Sequence, residues 1–178
     1  GHRVVRAGPG TGKTRLLVAR AASLLERGVP PQRLQLVTFT RKASAELTQR
    51  LASLAPGSAA SGVGTFHSLG RRVLDEALDR PLNVLDEEAR LALVTGLAKK
   101  AGLKAGDLAA ALSLAKQRVE DPAEPGLRPW FRAYQEALER EGFLDLDDLV
   151  RRAVLALRQN PDLAASWRER LEHLLVDE

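Results

Sequence analysis

Ala7-Gly8-Pro9-Gly10-Thr11-Gly12-Lys13-Thr14 decides the fold. It follows the apolar pair Val4-Val5, which reads as a short strand. It opens a segment with Leu16, Leu17, Ala19, Leu24 and Leu25, which reads as a helix. Strand, glycine-rich loop, Gly-Lys-Thr and helix together form the context in which such a loop holds phosphate. The spelling follows from the chemistry. A triphosphate needs several backbone N–H groups aimed at its oxygens, and only residues with little or no side chain let the backbone come that close. Gly8, Gly10 and Gly12 permit the approach, and the helix that follows adds its dipole and unpaired N–H donors. Lys13 supplies a point charge for the β- and γ-phosphates, and the Thr14 hydroxyl can ligate Mg²⁺. Ala7 occupies a position where the strict pattern has glycine, and its side chain is small enough to keep the loop.

Outward from the loop, the first helix should close near Arg27-Gly28, with Pro30-Pro31 as a linker. Leu34, Leu36 and Val37 read as a buried strand that delivers Thr38-Phe39-Thr40 at its C-terminal end, where open parallel sheets gather ligands. A helix follows from Lys42 to about Leu54, with Ala43, Leu47 and Leu51 on one face, and Pro56-Gly57-Ser58 breaks it. Val63-Gly64-Thr65 reads as another strand, and Phe66-His67-Ser68 starts a helix through Leu69, Val73 and Leu74. This alternation predicts an α/β fold, a parallel sheet flanked by helices.

From about Leu82 to Gly142 no strand is predicted. Asp86-Glu87-Glu88 opens a helix with Leu91, Val94 and Leu97, closed by Gly102. Asp107 can cap a second with Leu108, Leu112 and Ala115. Pro129 can start a third with Trp130, Phe131, Tyr134 and Leu138. This span reads as an all-helical insertion. Asp145 is a candidate cap for a helix with Leu146, Leu149, Val150, Ala153, Val154 and Leu157. Asp145, Asp147 and Asp148 are read as first-turn acids matched to the helix dipole rather than as a metal site. Asn160-Pro161 introduces a last helix with Leu163, Trp167 and Leu171. Leu174-Leu175-Val176 is then an apolar strand ending in Asp177-Glu178. A carboxylate at that strand end can hold a Mg²⁺ shared with Thr14, and its neighbour can activate water. The expected segments are a motor core at 1–81 and 143–178, interrupted by the insertion at 82–142.

The 178 residues contain no Cys and no Met, so no disulfide framework or thiolate metal site is expected, and Gly1 is not expected to be a translation start. The chain reads as part of a longer cytoplasmic protein, with no membrane segment. The net charge of +4 conceals an asymmetry. Residues 1–72 hold 12 Lys/Arg against 2 Asp/Glu, a net of +10, and residues 73–178 hold 15 against 21, a net of −6. A basic portion that also carries the loop points to a polyanionic partner besides the nucleotide.

Five stretches taken together resemble a known family. Ala7–Thr14, Thr38-Phe39-Thr40-Arg41-Lys42-Ala43, Gly64-Thr65-Phe66-His67-Ser68, Leu144-Asp145-Leu146-Asp147-Asp148-Leu149 and Leu174-Leu175-Val176-Asp177-Glu178 look like successive signatures of the UvrD/Rep/PcrA helicases of superfamily 1. The resemblance implies a P-loop NTPase (RecA-like) motor core with an inserted helical subdomain. It also implies an ATP-driven motor that moves 3′-to-5′ on single-stranded DNA and opens duplex junctions. By that likeness Ala7, Gly8, Pro9, Gly10, Thr11, Gly12, Lys13 and Thr14 hold the nucleotide. Thr14 and Asp177 hold Mg²⁺, and Glu178 is the general base beside Lys13. Thr38, Phe39, Arg41, Lys42, Thr65, Phe66, His67 and Ser68 fall along the single-strand path. Single strands are bound by stacking platforms and backbone contacts, and Phe39 offers a ring beside hydroxyls and Arg41-Lys42. Read alone, Phe39 and Phe66 fit core positions equally well, and His67 fits a structural hydrogen bond. Arg41 stands where the family usually has Asn. A second motor domain with its arginine fingers would follow Glu178. The motor portion of an AddA/RecB-like helicase–nuclease and a nucleotide-gated DNA-binding module are the alternative readings.

Overall fold

All five residues of Leu34–Thr38 (β1) are buried, as a central strand of a parallel sheet requires. In the computed structural model, which describes residues 3–6, 8, 10–78 and 81–177, β1 lies between two parallel neighbours, Gly62–Thr65 (β2) and His173–Val176 (β5). The register sets Val37 beside Gly64 and Val176, and Thr38 beside Thr65. All three strands therefore end at one edge of the sheet. The helices Lys13–Glu26 (α1) and Arg41–Leu54 (α2) share one core with it, in which Val18, Ala21, Ala22, Leu24, Leu47 and Leu51 meet Leu34 and Leu36, with Val63 and Leu175 packed against them. Burying a side chain such as Leu47 fully contributes about 1.5–3 kcal/mol, which makes this cluster the main stabiliser of the sheet.

The described residues separate into two units, 1–69 with 162–178, and 70–161. The helix Phe66–Ala77 (α3) crosses the first boundary, and Pro161–Arg170 (α8) crosses the second. The second unit contains Glu87–Ala101 (α4), Ala105–Gln117 (α5), Arg128–Arg140 (α6) and Leu146–Gln159 (α7). Its core joins Val94, Leu97, Leu108, Leu112, Phe131, Tyr134 and Leu138, with Trp130 packed against it. In the first unit Trp167 is buried and Arg170 stacks on its ring. The unit bounds at 70 and 161 lie outside the predicted insertion bounds at 82 and 142. α3 and α7 approach closely at Gly70: a Cβ there would come within 2.4 Å of the Leu149 carbonyl, so glycine lets the two helices close.

Three expectations change. Val4-Val5 forms no strand; Val4 is 81% and Val5 59% exposed. Both side chains are exposed, so a strand there would bury too little apolar surface to offset the entropy of ordering it. Asp107 is not a cap: α5 starts two residues earlier after Lys104, which leaves Asp107 inside the first turn. The span from Leu82 does contain a strand, Asn83–Val84 (β3), which pairs in parallel with Phe143–Leu144 (β4). A two-residue strand has no periodicity to read.

Candidate functional site

The first unit's loop closes on itself. Gly10 and Gly12 have φ of 73° and 90°, values that side-chain-bearing residues adopt at a cost, and Gly12 is the last residue before α1. Lys13 and Thr14 thus stand in the first turn of that helix. The Thr11 hydroxyl donates to the Gly8 carbonyl at 2.7 Å, and Lys13 Nζ donates to the same oxygen at 2.9 Å. Thr14 points the other way: its hydroxyl donates to Asp177 Oδ2 at 2.9 Å, across 163 positions of sequence.

Asp177 is placed by the sheet. Its backbone N–H donates to the Val37 carbonyl at 2.9 Å, extending the β1–β5 ladder one residue past Val176, and it is 9% exposed. A hydroxyl and a carboxylate at this separation are both hard oxygen donors. Mg²⁺ characteristically takes one or two such protein ligands and completes its shell with water and substrate phosphates, so the donor set fits that ion. Ala7, Pro9 and Glu178, also predicted in the site, lie outside the described residues.

The remaining predicted site residues gather at the C-terminal edge of the same sheet. Thr38 ends β1 and is buried. Phe39 follows it and is 64% exposed, which excludes the core alternative for this ring. Phe66, half-buried, sits with its ring centroid 5.3 Å from that of Phe39, tilted by 58°, so the two form an aromatic pair. The Thr40 hydroxyl accepts from the Ala43 N–H and caps α2, which leaves Arg41 and Lys42 exposed in the first turn. Cations there oppose the helix dipole and carry a local cost in the absence of an anion. Thr65 and Ser68 cap α3 reciprocally. The Ser68 N–H donates to Thr65 Oγ1 at 3.2 Å, and the Thr65 N–H donates to Ser68 Oγ at 2.9 Å. Ser68 Oγ also donates to the Thr65 carbonyl, at 2.8 Å. Both hydroxyls therefore have a structural task. His67 is half-buried in that first turn.

In the second unit the three aspartates have distinct roles. Among the described residues no group of three or more His, Cys, Asp or Glu is placed to hold a metal ion. Asp145 and Asp148 form a capping box at the start of α7. Asp147 accepts from the Ser113 hydroxyl at 2.6 Å. Lys116, a residue the sequence reading passed over, places its fully buried ammonium 2.7 Å from Asp145 and 3.0 Å from Asp148. The Tyr134 hydroxyl donates to Asp145 Oδ2 at 2.8 Å. Burial alone would push the Asp145 carboxyl up. The Lys116 charge, with hydrogen bonds from Lys116, Tyr134 and the Asp148 N–H, outweighs it and holds the group below its ordinary value. Burial and the neighbouring Asp145 charge push the Tyr134 hydroxyl well above its usual range. The available signal for Lys116 was its position: it continues the apolar stripe of Leu108, Leu112 and Ala115.

A parallel sheet with a glycine-rich loop, a helix-opening lysine and a buried carboxylate at its C-terminal edge defines the class: an α/β protein with its site where open sheets bind ligands. The chain belongs to the UvrD/REP helicase N-terminal domain family, whose model matches residues 1–178. It is 34% identical to DNA helicase II of Escherichia coli (strain K12) over 98% of this chain and 27% of that protein. It is 30% identical to the ATP-dependent DNA helicase PcrA of Bacillus subtilis (strain 168), over 100% of this chain and 27% of that one. It is 31% identical to the ATP-dependent DNA helicase UvrD1 of Mycobacterium bovis, over 98% and 26%. The chain thus spans about a quarter of the length of these relatives.

Proposed function

We propose that this chain is the nucleotide- and single-strand-binding front portion of an ATP-dependent 3′-to-5′ DNA helicase, built on a RecA-like P-loop core. Residues 1–81 and 143–178 serve the motor and 82–142 form its helical insertion. The observation that carries the reading is the 2.9 Å bond between Thr14 and Asp177, which joins the loop to the end of β5. Lys13, at the positive end of α1, meets the β- and γ-phosphates. Thr14 and Asp177 present two hard oxygens to Mg²⁺, and Glu178 serves as base for the attacking water. When bound, Mg²⁺ neutralises charge that develops on the phosphates. The Phe39–Phe66 pair stacks bases, while Thr38, Arg41, Lys42, Thr65, His67 and Ser68 line the backbone path of the strand. Single-stranded DNA and duplex junctions are the partners, and a second motor domain completes the ATP site. Among the described residues no helix is long and apolar enough to cross a membrane, and we place the protein in the cytoplasm. Without arginines from the second motor domain, worth on the order of 10³–10⁵ in rate, this chain alone should bind nucleotide but turn over little.

Binding of a fluorescent ATP analogue to the full-length protein, with Mg²⁺ and with EDTA, tests the reading. Lys13→Ala should weaken binding about 10- to 100-fold, to a level that can still be measured, and Asp177→Asn should remove the gain that Mg²⁺ gives. An Asp177→Asn protein whose affinity still rises with Mg²⁺ as in the parent would overturn the shared site.

A further inference from the structure

The Gly8 carbonyl is a junction that the nucleotide reading leaves unused. Two donors converge on its single oxygen: Thr11 Oγ1 at 2.7 Å and Lys13 Nζ at 2.9 Å. The first contact spans three residues and the second five, so all three groups lie where the loop passes into α1. We propose that Thr11 is a positioning residue for Lys13. Its hydroxyl fixes the direction of the Gly8 carbonyl, and that carbonyl holds the lysine ammonium where phosphate arrives.

The chemistry is asymmetric in a way that favours this. A carbonyl oxygen has two lone pairs and can accept both bonds at once. The Thr11 bond ties a short, β-branched side chain with few rotamers, whereas Lys13 reaches the same oxygen at the end of a flexible four-carbon stem. The stiff partner therefore orients the carbonyl, and the flexible partner follows it. The Thr11 methyl assists without crowding: a Cβ placed on Gly8 would lie 3.8 Å from Thr11 Cγ2, an ordinary contact. A valine at position 11 keeps that shape and removes only the donor, and a serine keeps the donor and removes the methyl.

This inference rests on the nucleotide reading, and a double-mutant cycle separates the two. Affinity for a fluorescent ATP analogue is measured in the full-length protein for the parent, Thr11→Val, Thr11→Ser, Lys13→Ala and Thr11→Val/Lys13→Ala. Thr11→Val should weaken binding about three- to tenfold, the scale of one neutral hydrogen bond, while Thr11→Ser stays within about twofold of the parent. In the Lys13→Ala background Thr11→Val should change affinity by less than about twofold, because the residue it positions is gone. Equal weakening by valine and serine, or an undiminished valine effect without Lys13, overturns the positioning role and leaves nucleotide binding standing. A Lys13→Ala protein that binds like the parent overturns the nucleotide reading itself, and this inference with it.

Discussion

At the scale of single residues, exposure separates the two rings of the aromatic pair. Phe39 presents nearly two thirds of its surface to solvent, at the end of a strand that is otherwise buried. A large apolar side chain held there contributes little to the core, so Phe39→Ala should leave the melting temperature within a degree or two. Base stacking on such a ring is worth about 1–3 kcal/mol, so the same change should weaken oligothymidylate binding about 5- to 150-fold. Fluorescence anisotropy and thermal melting on the same preparations distinguish the outcomes. A large loss of stability would reassign Phe39 to packing. Thr65 and Ser68 are different: their hydroxyls already cap α3, and substituting either should first cost helix stability.

At the scale of elements, α5, α6 and α7 are tied together by charge as well as by leucine. Lys116 is matched by two carboxylates, so removing it strands a buried negative pair. Lys116→Ala is expected to destabilise the chain by about 3–5 kcal/mol, read from urea denaturation. The same cluster sets an acid limit. Asp145 is held below its ordinary value of 3.8, so its contribution is fully present above that pH and is lost as pH falls through the lower folded-state value. Stability measured at pH 7 and again near pH 3 should therefore drop in the parent, and drop less in Asp145→Asn. A variant with the parent's full acid sensitivity would place that sensitivity in other carboxylates.

These elements also mark what can be read from a linear chain. The loop, its helix and the acidic strand end were legible because each signal is local: glycines, a lysine and an aspartate within a few residues of a recognisable boundary. Asp145 as a cap and Asp86 at the opening of a helix were legible for the same reason, and their hydrogen bonds to Asp148 and Ala89 are present. Lys116 was not, since its partners lie about 30 positions away and a lysine in a helix normally reads as solvated. Val4-Val5 failed in the opposite sense: hydrophobicity suggested a strand, but both side chains are exposed and gain no burial from pairing. The Thr11 contact escaped because the motif explains why the loop is small and says nothing about a hydroxyl within it.

At the scale of the whole molecule, the charge is unevenly shared along the chain. The net +10 over residues 1–72 accompanies the sheet edge that carries Phe39, Arg41 and Lys42. Binding to single strands should consequently weaken with salt, with a slope of about −0.7 in log K per phosphate neutralised. Replacing Arg41 and Lys42 by alanine should make that slope shallower by about 1–1.5, measured between low and moderate NaCl. An unchanged slope would move the phosphate contacts elsewhere on the basic portion.

The two tryptophans, Trp130 against the helical core and Trp167 beneath Arg170, fall one in each unit. Replacing either by phenylalanine leaves a lone indole emitter, so the spectrum of one half can be recorded while the other is silent. Whether nucleotide, DNA or denaturant reaches the sheet or the helices first then becomes a matter of which emission band moves.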